Sequence, residues 1–206
     1  MSKNKGKTTT MVEFEDLLDT FNDSIHTKEF KKLQDDFNNA EHVFFIGNGG
    51  GHAVATHAAS DVSRLTDKKC HALDNASYLT SIANDYGYNN IFMKFLEDYA
   101  VKGSKTMVIG FSGSGGSKNV ISTLSLAADE YDFDTCLITG QHSNSTPDYI
   151  NQVCFNNRYF HVHEILCMLT FYQLVHGTGN HCPTIKEEIV RKGHVESYRA
   201  RKYKEI

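Results

Sequence analysis

The sequence predicts an α/β domain whose parallel sheet is covered by helices on both faces. Three observations carry that expectation. Short apolar, β-rich runs at 42–47 (HVFFIG), 106–111 (TMVIGF) and 134–139 (DTCLIT) read as buried strands. Between them lie segments with apolar residues at three- and four-residue steps, as helical crossovers have. The first two runs also end in small-residue loops, GNGGG and SGSGGS, each followed by a helical pattern.

Taken in order, residues 1–11 are polar and are expected to be frayed and disordered. From 12 to 37 the apolar positions Val12, Phe14, Leu17, Leu18, Phe21, Ile25, Phe30, Leu33 and Phe37 predict one or two amphipathic helices, a helical hairpin. After the 42–47 strand a helix is expected over 53–65, then a weak strand at 70–73. The polar stretch NDYGYNN follows, then a helix over 91–101. After the 106–111 strand come a helix at 118–130, the 134–139 strand, a turn (QHSNSTPD) and a further strand in YINQVCF. A long apolar helix is expected over 159–175. No repeat or linker interrupts the pattern, so the chain divides into a frayed start (1–11), one α/β domain (12–177) and a charged helical extension (178–206).

Composition excludes some partners. The 206 residues carry net charge −4 with 22% charged residues, so neither nucleic acid nor an anionic membrane is the expected partner. No apolar run reaches the roughly 18 residues a membrane helix needs. The opening MSKNKGKTTT has no apolar core of a secretory signal. Five cysteines, odd in number and without a CxxC pair, fit reduced thiols in the cytoplasm. From 184 to 206 the chain holds seven Lys/Arg against four Asp/Glu, which reads as a solvated helix or as a contact for a partner or anionic substrate.

Eight of the fifteen glycines fall in the two loops: Gly47, Gly49, Gly50 and Gly51, then Gly110, Gly113, Gly115 and Gly116. In an open parallel sheet, ligands bind beyond the carboxyl ends of the strands. The second loop adds Ser112, Ser114 and Ser117. Hydroxyls and free N–H groups at a helix N-terminus make an anion cradle, for which phosphate is the natural occupant. Neither loop has GxxxxGK[ST] or GxGxxG spacing, so nucleoside triphosphate chemistry is not expected. His57 and Asp61, four apart on the helix after the first loop, share one face; that is a geometry for binding one metal ion, though a lone helical histidine is also a common structural residue.

The stretch IGNGGGHAVATHAASDVSR resembles the first loop and helix of sugar-isomerase (SIS) domains of the phosphoheptose isomerase branch. SIANDYGYNNIF, GFSGSGGSKNVISTLSLA and VHEILCMLTFYQLV extend the match in order over about residues 12–177. The resemblance implies a three-layer, flavodoxin-like, five-stranded parallel sheet and a homo-oligomer, a tetramer, with sites at subunit interfaces. It implies a sugar phosphate ligand, and in isomerase members conversion of sedoheptulose 7-phosphate to a heptose 7-phosphate, with zinc in some of them. A second branch keeps the fold as a non-catalytic regulator that binds a replication initiator, so a sugar-phosphate sensor or protein-binding regulator is the alternative.

Carried over residue by residue, the resemblance places phosphate on Ser112, Ser114 and Ser117, with Asn48 and Asp85 near the sugar. Gly49, Gly50, Gly51 and Gly113 line the same pocket. Gly51 stands where the family often has serine, and Gly113 where it has threonine. Isomerisation through an enediol needs an acid and a base beside two adjacent carbons. The family's glutamate base aligns with Asp61, and its histidine on the last helix aligns with Phe171, which cannot move a proton. His163, eight residues earlier, is the candidate to replace it as acid, or to complete a zinc set with His57 and Asp61. Asp85 also fits as a simple turn residue in NDYG.

Overall fold

The computed structural model describes residues 14–184. The start expected to be frayed (1–11) and residues 185–206 of the expected helical extension lie outside the described residues.

Five strands form one parallel sheet: β1 (His42–Gly47), β2 (Lys69–His71), β3 (Thr106–Ser112), β4 (Asp134–Thr139) and β5 (Asn151–Cys154). Their order is β2-β1-β3-β4-β5, the flavodoxin-like order, with Ile46 beside Gly110 and Gly110 beside Leu137 across the centre. The reversal of order beside β1 opens a crevice at the carboxyl ends of β1 and β3, where both glycine loops stand.

Side chains alternate along each strand and so build two cores. Val43, Phe45, Met107, Ile109, Cys136 and Ile138 pack on one face, against helices α2 (Lys28–Asn39), α3 (Gly50–Leu65) and α7 (Phe160–Gly177). Phe44, Ile46, Val108 and Leu137 pack on the other, against α5 (Ile91–Tyr99) and α6 (Lys118–Tyr131), with Ile82 of α4 (Ala76–Tyr86). The predicted N-terminal hairpin is α1 (Leu17–Ile25) followed by α2. Thr27 caps α2, its Oγ1 accepting from the Phe30 N–H at 3.2 Å.

Two expectations are corrected. α3 begins at Gly50, not at 53, because the glycines of the loop themselves form its first turn. And helix α4 covers residues 76–83, for which no element was expected, together with the first three residues of the polar stretch NDYGYNN. Asn75 caps it, Oδ1 accepting from the Tyr78 N–H at 3.1 Å, yet only Ile82 of its residues is fully buried. Its apolar residues Tyr78, Leu79, Ile82 and Ala83 do stand at three- and four-residue steps and pack on the second core, but in a short segment crowded with polar residues that masks the periodicity. Asp85 therefore lies in the last turn of α4, and the turn itself falls at Gly87, whose φ of +83° suits glycine.

Candidate functional site

The site begins where β1 and β3 end. A side chain at Gly47 would put its Cβ 2.8 Å from the Gly51 carbonyl, so only glycine lets the loop fold back against its strand. Gly49 holds the left-handed φ of +56° that turns the chain into α3. Between them, Asn48 reaches across to α6. Its Nδ2 donates to Asn119 Oδ1 at 2.9 Å, and Asn119 Nδ2 donates back to Asn48 Oδ1 at 3.0 Å. The Tyr88 hydroxyl, from the 3-10 turn after Gly87, also donates to Asn48 Oδ1 at 2.9 Å. The two strand-end loops are thus tied into one unit.

The serine loop makes unequal use of its hydroxyls. Ser112 is buried; its Oγ donates to Ser117 Oγ at 2.9 Å and accepts the Ser117 N–H at 3.3 Å, which closes the loop. Ser114 is exposed, and its Oγ accepts the Gly116 N–H at 3.2 Å. Ser117 is the N-cap of α6 and makes no side-chain cap bond. Ser114, Ser117 and the N-terminus of α6 are the parts of the loop turned toward a ligand. Gly113 sits where a Cβ would come within 3.0 Å of the Phe160 ring and 3.4 Å of His163 Cδ2, so the loop packs on the start of α7. A hollow of about 90 Å³ there is lined by Gly113, Ser114, Gln141, Asn157, Arg158 and His163, among others. Among the described residues, the buried Asn157 Nδ2 has no hydrogen-bond partner.

Electrostatics separate the two helix N-termini. The Glu164 carboxylate fills the space a Cβ on Gly50 would occupy, at the start of α3. A carboxylate there already answers the positive end of the α3 dipole and repels a second anion. The start of α6 carries Lys118 instead and is the anion-accepting end. Asp85 is exposed on α4, with Oδ1 accepting from Asn84 Nδ2 at 2.8 Å.

Helices α3 and α7 run side by side away from this cradle. Asp61 lies eleven residues along α3 from Gly50, about 16 Å at 1.5 Å per residue. It is 8% exposed. Its Oδ1 accepts from Arg64 at 2.9 Å and its Oδ2 from the Tyr172 hydroxyl at 2.8 Å. His57 Nε2 stands 3.6 Å from the same Oδ2 and 3.2 Å from the Tyr172 oxygen. Burial, and then the hydrogen bond to Asp61, push the Tyr172 phenol up to about 12. Phe171 is 1% exposed and packs edge-on against His57.

His163 is elsewhere. It is 4% exposed, its Nε2 is 3.4 Å from Cys167 Sγ, and burial pushes its imidazole down to about 4, so it is neutral at physiological pH. Nine residues of α7 separate it from Tyr172, about 14 Å. The expected pairing of His163 with Asp61 is therefore not assembled within one chain.

The expected zinc set of His57, Asp61 and His163 is likewise not assembled among the described residues. Among the described residues no three His, Cys, Asp or Glu side chains are grouped to hold a metal. His57 and Asp61 adjoin, but a guanidinium on Oδ1 and a phenol on Oδ2 take the places a cation would need, and His163 is two turns or more away. The residues do not fit zinc.

Sequence reasoning missed Asn119, Tyr88, Arg64 and Glu164. Only the folded chain brings Asn119, Tyr88 and Glu164 to the loops, whereas Arg64, three residues after Asp61 on α3, stands at a spacing that could have found it. Tyr172 was visible as the neighbour of Phe171, but its aim at Asp61 was not.

No family model matches the chain. In sequence it is 31% identical over 121 residues to the phosphoheptose isomerase of Shigella dysenteriae, covering 56% of this chain and 62% of that protein. It is 37% identical over 97 residues to the phosphoheptose isomerase of Aliarcobacter butzleri, covering 44% and 50%. The chain thus spans about half to three fifths of the length of these curated relatives. In structure it is similar to phosphoheptose isomerase GmhA from Neisseria gonorrhoeae, with TM-score 0.68 and 21% identity over 81% of this chain and 94% of that one. It is similar to a phosphoheptose isomerase from Francisella tularensis, with TM-score 0.67 and 15% identity over 80% and 93%. The Vibrio vulnificus NanR protein, solved with ManNAc-6P, matches with TM-score 0.56 and 16% identity over 81% and 60%. The fold is the α/β fold of the sugar-isomerase domains, as the sequence motifs implied.

Proposed function

We propose that the chain is a phosphoheptose-isomerase-like aldose–ketose isomerase, acting in the cytoplasm on sedoheptulose 7-phosphate or a similar sugar phosphate through an enediol. The observation that carries this reading is the serine loop. Ser114 and Ser117 lie open at the N-terminus of α6, beside an Asn48–Asn119 bridge that holds the first loop to the second. A phosphate takes its hydrogen bonds from these hydroxyls and the α6 N–H groups. Asn48, Gly49, Gly50, Gly51 and Gly113 form the adjoining wall, and Asp85 borders it from α4.

Asp61 is the base: its carboxylate takes the proton from the carbon beside the carbonyl and returns it to the neighbouring carbon. His163, neutral and against the serine loop, lines the cradle. The distance along α3 from cradle to Asp61 argues that a homo-oligomer, a tetramer by resemblance, completes the site, with one copy's cradle facing another's α3 and α7. The outward side of α7 supports this. Phe160 and Ile165 are exposed, and Met168 and Leu169 half-buried, on a helix apolar all round, which is the pattern of a helix that is covered. Among the described residues no helix is long and apolar enough to cross a membrane.

The test is proton exchange. Purified protein with sedoheptulose 7-phosphate in D2O should place deuterium on the carbons next to the carbonyl and yield the aldose, and Asp61→Asn should stop both. No exchange by the wild type overturns the isomerase. Thermal stabilisation by the sugar phosphate without exchange would make the protein a sensor instead, the reading that Phe171 favours.

A further inference from the structure

An enediol isomerase needs a group that handles the proton on oxygen while the base handles the proton on carbon. Phe171, which packs against His57 on α3, has no proton to give. Phe171 lies in the core between α3 and α7, its ring 4.2 Å from that of Tyr172. One residue on, the helix turns by about 100°, and the next side chain leaves the core. Tyr172 is half-buried, and its hydroxyl donates to Asp61 Oδ2 at 2.8 Å while standing 3.2 Å from His57 Nε2. The phenol and the carboxylate are therefore one hydrogen bond apart, the separation of groups that work on adjacent atoms of one substrate. Arg64, 2.9 Å from Oδ1, fixes the carboxylate from its other side.

We propose that Tyr172 is the catalytic partner of Asp61, donating its hydroxyl proton to the substrate's carbonyl oxygen as the enediol forms. This rests on the isomerase reading. Asp61 takes the proton from C1 of the ketose; the C–H electron pair becomes the C1=C2 bond, and the carbonyl pair moves onto O2. The Tyr172 hydroxyl meets that charge and passes its proton to O2. The phenolate, steadied by the His57 imidazole N–H, takes the O1 proton as the C1 carbonyl forms, and protonated Asp61 delivers its proton to C2. Protons and electron pairs balance, and both groups return to their starting state. A donor aimed at a developing oxyanion in a partly buried site is worth about 10²–10³ in rate.

The experiment compares wild type, Tyr172→Phe and Asp61→Asn for deuterium exchange and turnover of sedoheptulose 7-phosphate, with melting temperature and stabilisation by inorganic phosphate read on each. Tyr172→Phe should stay folded with a modestly lowered melting temperature, because Asp61 Oδ2 loses a donor, and should keep its phosphate stabilisation and KM within about threefold, while kcat falls by about 10²–10³. A kcat within threefold of an active wild type overturns the role of Tyr172 and leaves the isomerase standing. An inactive wild type overturns the isomerase reading and this role with it. Should Tyr172→Phe fail to fold, 3-fluorotyrosine placed at 172 keeps the shape and lowers the phenol pKa. The alkaline limb of the rate profile should then move to lower pH, and an unmoved limb overturns the proposal.

Discussion

Asn48 and Asn119 hold each other through two amide hydrogen bonds, at 2.9 and 3.0 Å, across 71 residues of sequence. Each amide spends its oxygen and one N–H on the other, so neither can turn. The remaining N–H of Asn48 has a fixed direction at the edge of the cradle. Two loops that glycine leaves conformationally free are made rigid at one point each.

Removing this bridge should cost stability and binding together. Asn119 is 4% exposed, and Asn119→Ala strips Asn48 of two bonds, leaving it only the Tyr88 hydroxyl. Orphaning a buried polar group costs about 1–3 kcal/mol. Urea denaturation should register that loss, and stabilisation by inorganic phosphate should shrink. Unchanged values for both would show that the bridge is idle.

Placing at 171 the histidine that the sequence resemblance implies should not help. Phe171→His places an imidazole at a position that is 1% exposed within the core cluster, at a cost of about 1–3 kcal/mol where its ring nitrogens find no partner. Urea denaturation should show the loss, and deuterium exchange should not rise above that of the parent. A variant both stable and faster would mean that residue 171 reaches the substrate.

Acid should destabilise the fold partly through His163. Burial holds its imidazole down to about 4, against 6.5 in the unfolded chain. The unfolded chain therefore takes up the proton first. The stability that His163 contributes is complete above about pH 6.5, declines by at most about 1.4 kcal/mol per pH unit below it, and is gone below about pH 4. His71 is shifted the same way, by burial first and then by the charges of His42 and Lys69. Urea midpoints at pH 7.5 and 5.0 should differ less for His163→Gln than for wild type. Equal differences would place the acid sensitivity elsewhere.

The sheet was legible because its signals are local. A strand buried on both faces must be apolar over a short run, and the loops after β1 and β3 must be glycine-rich where the chain turns back on itself at Gly47. Helix α4 escaped although Tyr78, Leu79, Ile82 and Ala83 stand at helical spacing, because it is short, fully buries only Ile82 and is otherwise largely polar. The roles within the serine loop also escaped: Ser112, Ser114 and Ser117 look alike in sequence, and only packing decides that Ser112 turns inward to close the loop.

By itself the sequence determined the α/β class, the parallel strands and the two loops at their carboxyl ends, since periodicity and glycine act over a few residues. It also offered Asp61 as a candidate, through the family resemblance and its place four residues after His57. Tertiary structure alone decided which groups surround that carboxylate. Tyr172 lies 111 residues away and reaches it because α3 and α7 pack side by side. His163 shares α7 with Tyr172 yet stays apart from Asp61, because the rise of the helix places it about 14 Å away at the other end of the same packed pair.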